Sequence, residues 1–261
     1  MNDRTPRPIQ FDSVADIYDN YVRADFDIPF WLSESQSVSG KVLELTCGTG
    51  RVSIHLLKAG INLYCVDYSP QMLEVFRKKI KENNLFCMPI CQDIAELRLP
   101  DRFDLIFIPF HSFSETLLEQ KRRASLEGIR THLTPRGTFI CTLQNLAIRA
   151  ASMDGSLRLV GEFPMGNGDT LVVRSRLTFD PSTQLATGEQ TYDRFAANGA
   201  LVDQRSLDMS FYLFHQPEFE ALVRETGFEI GDLYGNYDRS PYDEQTSPFM
   251  IWKLRRSAPD P

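Results

Sequence analysis

The segment "VLELTCGTGR", Val42 to Arg51, is the most informative part of this 261-residue chain. A short apolar run typical of a buried strand leads into a loop with Gly48 and Gly50, and a helical pattern follows. Glycines at such a turn let the backbone approach a ligand closely, and the first turn of a helix offers unpaired N–H groups. The segment therefore predicts a nucleotide site, or else a tight strand-to-helix turn with no ligand.

On both sides of this segment, strand-like runs rich in Val, Ile, Leu and Phe alternate with amphipathic helical patterns. Helical patterns also precede it, at 9–23 and about 27–38. Such alternation indicates a parallel sheet covered by helices on both faces. The strands are predicted at 41–45, 62–68, 85–92, 103–109 and 138–145, the main helices at 69–83, about 114–132 and 216–227, and two final strands in "FEIGDLYG" and "PFMIWKLRR".

The period changes between residues 157 and 214. Extended stretches there are separated by the turn sequences "GNGD", "DPST" and "ANGA", which is typical of antiparallel strands.

Local chemistry also predicts helix ends: Ser69 before Pro70 is an N-cap, Ser112 with Glu115 has capping-box spacing, and Gly60 ends the first crossover helix.

Composition excludes several classes of protein. The chain has 28 Lys plus Arg against 35 Asp plus Glu, a net charge of −7, and no basic block, so we expect no nucleic-acid partner. No apolar run approaches the roughly 20 residues that cross a bilayer, and the N-terminus lacks a signal-peptide core, so we expect no membrane association and a cytoplasmic location. The five cysteines form no CxxC pair, so neither a disulfide framework nor a metal site is expected.

Acidic residues follow or lie within the predicted strands. Asp67 ends the second strand, where a carboxylate can accept both ribose hydroxyls, although Asp also favours the turn before a cap. Glu44 lies inside the first strand, and Asp93 follows the third. A dinucleotide-binding loop requires Gly or Ala where this chain has Ser53, and the chain has no recognisable Tyr-x-x-x-Lys pair. These two features disfavour an NAD-dependent oxidoreductase.

Four segments, "VLELTCGTGR", "VDYSPQML", "CQDIAEL" and "FDLIFIPFHSF", resemble in this order the class I S-adenosylmethionine-dependent methyltransferases, over about residues 10–256. The segments "VRADFDIPFW" and "LYGNYDRSPYDEQTSPFMIW" resemble bacterial small-molecule members similar to the glycine N-methyltransferases and amino-sugar N,N-dimethyltransferases. The chain departs from the family loop pattern at Thr46, where the first glycine stands, and we expect this β-branched residue to narrow the pocket near the methionine tail.

The resemblance implies an α/β fold, a Rossmann-like seven-stranded methyltransferase sheet with helices on both faces and an antiparallel β insertion after the fifth strand. Residues 1–156 and 215–261 would form the methyltransferase domain with an N-terminal helical lid. Residues 157–214 would form the insertion, which covers the active site.

The resemblance also implies S-adenosylmethionine as the cofactor. Glu44 would contact its amino group, Asp67 its ribose and Asp93 the adenine edge. Met72 is alternatively a residue of the helix core, and Arg23 a solvated charge. The full set of implied cofactor residues is Tyr18, Arg23, Trp31, Glu44, Thr46, Cys47, Gly48, Gly50, Arg51, Asp67, Tyr68, Met72, Gln92, Asp93, Ile94, Pro109 and Phe110.

Methyl transfer is an in-line displacement, so the protein must mainly position the nucleophile, and it must also manage the acceptor's proton. His111 and Tyr18 are the catalytic candidates. His111 lies at the rim where open α/β sheets bind ligands; it is either the base or a hydrogen-bonded rim residue that supports the Ser112 cap. Arg194 would provide a guanidinium for a small anionic substrate. The predicted substrate residues are Tyr21, His111, Asn145, Arg194 and Tyr212.

We therefore expect methyl transfer to a small polar molecule, with nitrogen preferred over oxygen. Two alternatives stay open: O-methylation of a small carboxylic acid or hydroxyl compound, and a non-catalytic regulatory protein that binds S-adenosylmethionine. The sequence leaves the assembly open, with a homodimer among the options.

Overall fold

The computed structural model describes residues 7–257, in which a seven-stranded sheet is accompanied by a separate four-stranded sheet. The helices are α1 Tyr18–Tyr21, α2 Ile28–Gln36, α3 Ser53–Lys58, α4 Pro70–Glu82, α5 Glu119–His132, α6 Leu146–Arg149 and α7 Gln216–Glu225. The strands of the large sheet are β1 Val42–Leu45, β2 Leu63–Asp67, β3 Ile90–Cys91, β4 Phe103–Ile108, β5 Leu133–Gln144, β10 Phe228–Tyr234 and β11 Phe249–Arg256. The small sheet contains β6 Arg158–Pro164, β7 Thr170–Asp180, β8 Leu185–Phe195 and β9 Leu201–Tyr212.

The large sheet has the strand order β10-β11-β5-β4-β1-β2-β3. Strands β1 to β5 pair in parallel, and β11 runs antiparallel to both β5 and β10. This confirms the predicted fold class, including the antiparallel insertion after the fifth strand. The chain order reverses between β1 and β4, and open α/β sheets bind ligands beyond the carboxyl ends of strands at such a point.

Helices cover both faces of this sheet because each presents an apolar stripe to it. On one face, Leu126 and Ile129 of α5 and Phe219 of α7 pack in one hydrophobic cluster. On the other face, a second cluster holds Trp31 of α2 and Phe76 of α4.

The local signals for helix ends were partly right. The Ser69 hydroxyl accepts the Met72 N–H at 3.1 Å and caps α4, as predicted. Gly60 follows α3 with a φ of +77°, which also confirms its predicted place. The Ser112 cap is wrong: the short 3₁₀ helix Ser112–Glu115 begins after His111, whose backbone is left-handed and whose side chain makes no cap hydrogen bond.

Two predicted helices are shorter than their periodicity indicated. Residues 9–23 form only a 3₁₀ turn at Phe11–Val14 and the single turn of α1. The helix predicted from about 114 starts at Glu119. The Arg122 guanidinium binds the carbonyls of Thr116 and Leu117, at 3.2 and 2.7 Å, which replaces the helical bonds that these carbonyls would otherwise accept.

The third strand is also shorter than predicted, with only Ile90–Cys91 paired to β2. Phe86 and Met88 are 88% and 79% exposed, so their apolar character does not reflect burial. Pro89 has no N–H to donate, and β3 is the edge of the sheet, where such a residue is tolerated.

The small sheet packs on the N-terminal segment. Ile9, Val14 and Ile17 share a hydrophobic cluster with Val173 and Tyr192 of the small sheet. An ion pair reinforces this contact, since the Arg205 guanidinium holds both carboxylate oxygens of Asp16 at 2.5 and 3.1 Å. The N-terminal segment therefore connects the two sheets and places Tyr18 above the carboxyl ends of β1 and β4.

Within residues 7–257, no helix is both long and apolar enough to cross a membrane. The same range contains no cluster of His, Cys, Asp or Glu side chains suited to a metal ion. All five cysteines are free thiols.

Candidate functional site

The loop after β1 has an unusual backbone. Thr46, Gly48 and Gly50 all have left-handed φ values, of 58°, 53° and 81°. A Cβ on Gly50 would lie 2.2 Å from the Phe76 ring, so only glycine fits there, whereas a Cβ on Gly48 would enter open space. The backbone at Gly48 is thus accessible to a ligand, and its own conformation favours glycine.

Thr46 adopts the left-handed conformation that a glycine would take more easily. Its hydroxyl donates to the Leu45 carbonyl at 2.5 Å, a local bond that helps to hold this backbone. Non-glycine residues in this region cost about 1–2 kcal/mol, so the loop carries strain at the point where the chain departs from the family pattern.

A cleft of about 380 Å³, partly open to solvent, lies above the carboxyl ends of β1 and β4. The sequence analysis named eight of its lining residues as cofactor residues: Tyr18, Glu44, Thr46, Cys47, Gly48, Arg51, Pro109 and Phe110. The remaining lining residues are Thr49, Val52 and Ser112.

Glu44 provides a buried carboxyl group in this cleft. It is 1% exposed, and the Ser53 hydroxyl donates to it at 2.6 Å. Burial raises the pKa of Glu44 to about 8, although the Ser53 bond and the Arg51 charge act in the opposite direction. Such a carboxyl group would ionise readily beside a cationic ligand, because an opposite charge favours the charged form.

Arg51 lies at the cleft but is already neutralised. Its two terminal nitrogens bind the two oxygens of Asp27 at 2.5 and 2.7 Å, a bidentate geometry that Arg favours. Asp27 is fully buried and also accepts the Trp31 indole N–H at 3.0 Å. Asp27 was not among the predicted site residues, and the one available signal for it was an acid directly before helix α2.

Trp31, one of the implied cofactor residues, does not line the cleft. It is fully buried and stacks on Phe107 with ring centroids 4.6 Å apart. The indole lies on the apolar face of α2, in the core. Its hydrogen bond to Asp27 connects it to the site.

Asp67 connects two backbone segments. Its oxygens accept the Gly48 N–H at 2.7 Å and the Ser69 N–H at 2.9 Å. Burial raises the pKa of Asp67 above its usual value, while these backbone bonds oppose the change. The carboxylate that the resemblance assigns to the ribose therefore also fixes the loop after β1.

The residues implied for the adenine lie outside the cleft, around the carboxyl ends of β2 and β3. The Tyr68 hydroxyl donates to the Ile9 carbonyl, and Met72 is buried in α4.

Asp93 accepts the Ala95 N–H at 2.9 Å and pairs with Lys121 at 2.8 Å. Burial acts to raise the pKa of Asp93, but the bond from Lys121 leaves it below its usual value. Gln92 accepts the Arg98 N–H at 2.8 Å, and the Ile94 side chain is buried.

The N-terminal segment is attached directly to the loop after β1. The Thr49 hydroxyl donates to Asp19 at 2.6 Å, and Lys79 of α4 binds the same carboxylate at 2.7 Å. Asp19 and Thr49 were not among the predicted site residues. Burial raises the pKa of the Tyr18 hydroxyl, so this side chain stays a neutral phenol in the cleft.

Tyr21, a predicted substrate residue, and Arg23, an implied cofactor residue, face the small sheet. The Tyr21 and Tyr192 hydroxyls are 3.0 Å apart, and Arg23 is exposed, with its guanidinium 3.2 Å from the Pro164 carbonyl. The structure therefore brings Tyr18 to the cleft and leaves Tyr21 and Arg23 at the contact with the small sheet.

His111 occupies a strained position directly after β4. Phe110 and His111 have consecutive left-handed φ values of 59° and 65°; such strain is concentrated at functional sites. Burial, with smaller contributions from the Arg149 and Arg51 charges, lowers the pKa of His111 to about 3. The imidazole is therefore neutral near pH 7 and a weak base.

Three predicted substrate residues lie away from the cleft. The Asn145 amide donates to the Glu244 and Ser247 carbonyls, both at 2.8 Å, and so anchors the loop after β10. Arg194 lies 3.7 Å from Asp169 of the small sheet. Tyr212 ends β9, where its hydroxyl donates to Glu218 at 2.6 Å and its ring lies 3.8 Å from the Arg122 guanidinium. Each side chain has a partner in its own surroundings, and none of the three lines the cleft.

Glu115 was treated only as a capping residue in the sequence analysis. It is half-buried, makes no hydrogen bond or ion pair with the described residues, and interacts electrostatically with Asp67 and Tyr18. Burial raises the pKa of Glu115 to about 8. An unpaired acid at this depth beside a cleft is a candidate functional group.

Comparison with known proteins provides an independent test. Residues 42–137 match the family described as "Methyltransferase domain". The cypemycin N-terminal methyltransferase of a Streptomyces species is 26% identical, over 85% of this chain and 86% of that protein.

Solved structures share the fold. The CcbJ methyltransferase from Streptomyces caelestis has a TM-score of 0.78 at 21% identity, with 97% of this chain and 99% of that chain covered. The sugar N-methyltransferase KedS8 from a Streptoalloteichus species has a TM-score of 0.73 at 19% identity, with 98% and 96% covered.

Proposed function

Because this chain belongs to the S-adenosylmethionine-dependent methyltransferases, we propose that it methylates an amine nitrogen of a small polar molecule. The observation that carries the choice of nitrogen is the neutral imidazole of His111, whose pKa is about 3. The names of two relatives, an N-terminal methyltransferase and a sugar N-methyltransferase, support the same choice.

The cleft residues fit the cofactor. When bound, S-adenosylmethionine supplies an electrophilic methyl group on a sulfonium. The open space at Gly48 leaves room beside the backbone, and the buried Glu44 carboxyl beside it suits an ammonium group. Asp67 would turn from its two backbone N–H partners toward the ribose hydroxyls.

The acid–base groups near β4 support nitrogen as the acceptor atom. A hydroxyl acceptor must lose its proton as it attacks, which requires a base with a pKa near the working pH. His111, with a pKa of about 3, does not meet this requirement, and the pKa of Glu115, about 8, lies near that of an ammonium ion but far below that of an alcohol. An uncharged amine attacks with its own lone pair and needs no such base. A carboxylate acceptor needs no base either, and against it we rely on the named activities of the relatives.

An amine arrives mostly as an ammonium ion near pH 7 and must lose one proton before it can attack. Glu115 suits this step, since its pKa of about 8 lies close to that pH and it has no competing hydrogen bond among the described residues. Tyr18, a neutral phenol on the same cleft, would position the amine.

The test is transfer of a deuterated methyl group from S-adenosylmethionine to a panel of small amines, alcohols and carboxylic acids, followed by mass spectrometry. We expect products that survive mild alkali, because N-methyl groups resist hydrolysis and methyl esters do not. Label in an alkali-labile ester or on a hydroxyl oxygen would contradict the proposal. For Glu115→Gln we expect a lower kcat and loss of the rise in kcat between pH 7 and 8; an unchanged profile would exclude Glu115 as the proton acceptor.

A further inference from the structure

We propose that the methyl acceptor carries an anionic group, which the side chains of Arg149 and His111 bind beside the carboxyl ends of β4 and β5. This inference rests on the proposed N-methylation and names the substrate class, a small amine with a carboxylate or a phosphate monoester.

The first observation is an unpaired guanidinium. Arg149 ends α6 and is half-buried, and its Nε is shielded from water without a partner. Its one side-chain bond is from Nη1 to the Ser152 hydroxyl at 3.2 Å, and no carboxylate of residues 7–257 forms an ion pair with it. The nearby acid Asp154 is held by Arg158 at 2.9 Å. A partly desolvated cation without a counter-ion is unfavourable, so an anion bound there would be stabilised.

The second observation is an unpaired imidazole nitrogen. The Nδ1 atom of His111 is shielded from water and has no partner, while Nε2 lies 3.4 Å from the Gln144 amide nitrogen. An amide nitrogen can only donate, so Nε2 accepts and Nδ1 carries the hydrogen. His111 and Arg149 therefore each present a buried N–H without an acceptor, as an anion site requires.

His111 lies beside the cleft, and Arg149 is near enough for its charge to act on the imidazole. The His111 ring stacks on Phe110 with centroids 5.2 Å apart, and Phe110 itself lines the cleft. Phe211 of β9 lies on another side, 6.5 Å from His111, so the small sheet borders the same region. An acceptor bound here by its anionic group could extend its amine past Phe110 toward the cleft.

Of the described guanidiniums Arg51, Arg149 and Arg194, Arg149 alone forms no ion pair within residues 7–257. Asp27 neutralises Arg51 through both oxygens. Arg194, the residue to which the sequence pointed, lies 3.7 Å from Asp169. The charge pairing thus selects Arg149 as the group that recognises the anion.

The direct test uses the protein saturated with S-adenosylhomocysteine and titrated with ¹³C-acetate, inorganic phosphate or neutral ¹³C-acetamide, followed by NMR line broadening. We expect wild type to bind one or both anions and not acetamide, and Arg149→Gln to weaken anion binding at least tenfold. Arg149→Lys, which keeps the charge but loses the planar fork, should be intermediate, and it also provides the test if Arg149→Gln is unstable. The matched control is Arg136→Gln, which removes an exposed charge near the other end of β5 and should bind as wild type does. Equal binding by wild type and Arg149→Gln, or no anion binding by wild type, would overturn the inference.

A second measurement separates this inference from the proposed function. Glycine is compared with glycinamide, and O-phosphoethanolamine with ethanolamine, as methyl acceptors. N-methylation that ignores the anionic group would refute the inference and leave the proposed function standing. An alkali-labile methyl ester on the anionic acceptor, together with anion binding that depends on Arg149, would refute the proposed function alone.

Discussion

The raised pKa of Glu44 predicts that cofactor affinity increases with pH. The carboxyl group is mostly protonated near pH 7, because its pKa is about 8, and contact with the cofactor's ammonium group favours the ionised form. Binding must then expel one proton. The substitution Glu44→Gln keeps the shape of the side chain and an oxygen for the Ser53 hydroxyl, but removes this ionisation.

The magnitude follows from linkage. Below the pKa, the affinity should increase about tenfold per pH unit, or about 1.4 kcal/mol. From pH 5.5 to 7.0, where the cofactor's own amino group stays charged, this amounts to about thirtyfold, or about 2 kcal/mol. Glu115, whose pKa is also about 8, would add to the pH dependence of cofactor affinity if the sulfonium favours its ionised form.

The assay is isothermal titration calorimetry with S-adenosylmethionine at pH 5.5, 6.25 and 7.0, repeated in two buffers of different ionisation enthalpy to count released protons. We expect S-adenosylmethionine binding to Glu44→Gln to release about one proton fewer than binding to wild type. The slope of the logarithm of affinity against pH should be lower by about one. The exposed Glu74→Gln on α4 is the control and should behave as wild type. An unchanged slope and proton count in Glu44→Gln would refute the assignment of Glu44 to the cofactor.

Three other substitutions test the remaining parts of the site. Asp67→Ala should weaken S-adenosylmethionine binding tenfold or more, about 1.4 kcal/mol, because it removes the ribose acceptor and two backbone partners; calorimetry that finds equal affinity would exclude Asp67 from the site. Thr46→Gly should relieve left-handed strain and change the free energy of unfolding by no more than about 1 kcal/mol, whereas a loss of several kcal/mol in urea denaturation would show that Thr46 is not strained. Asp27→Asn should destabilise the protein by about 3–5 kcal/mol, because it leaves the Arg51 charge partly buried without its acid; the same denaturation experiment would contradict this if the loss were under about 1 kcal/mol.

Local features of the sequence predicted much of this structure. The alternation of apolar runs and helical patterns indicated the order of strands, and the glycine loop placed a cleft after β1. Ser69 with Pro70 and Gly60 marked helix ends correctly because such signals act over three or four residues. The N-terminal helix was overpredicted because apolar residues at helical spacing there pack against the small sheet, for which a long regular helix is not required.

Residues that depend on long-range pairing could not be placed in this way. Tyr212 and Arg194 have the right chemistry for a substrate site, but strand register and the exit of β9 bring them to other acids. Asn145 was expected in the pocket and instead anchors the loop after β10, because carbonyls about a hundred residues away in sequence lie within reach of its amide.

The sequence established the fold class, the loop that lines the cleft and the acids around it, since periodicity, capping and glycine placement are local properties. The tertiary structure decided which charged side chains form ion pairs and which remain without a partner. Arg51 meets Asp27 from 24 positions away, while Nε of Arg149 and Nδ1 of His111 are shielded from water without acceptors. The energy of a charge depends on its distance from its partner and on its burial, and both quantities arise only when the elements pack.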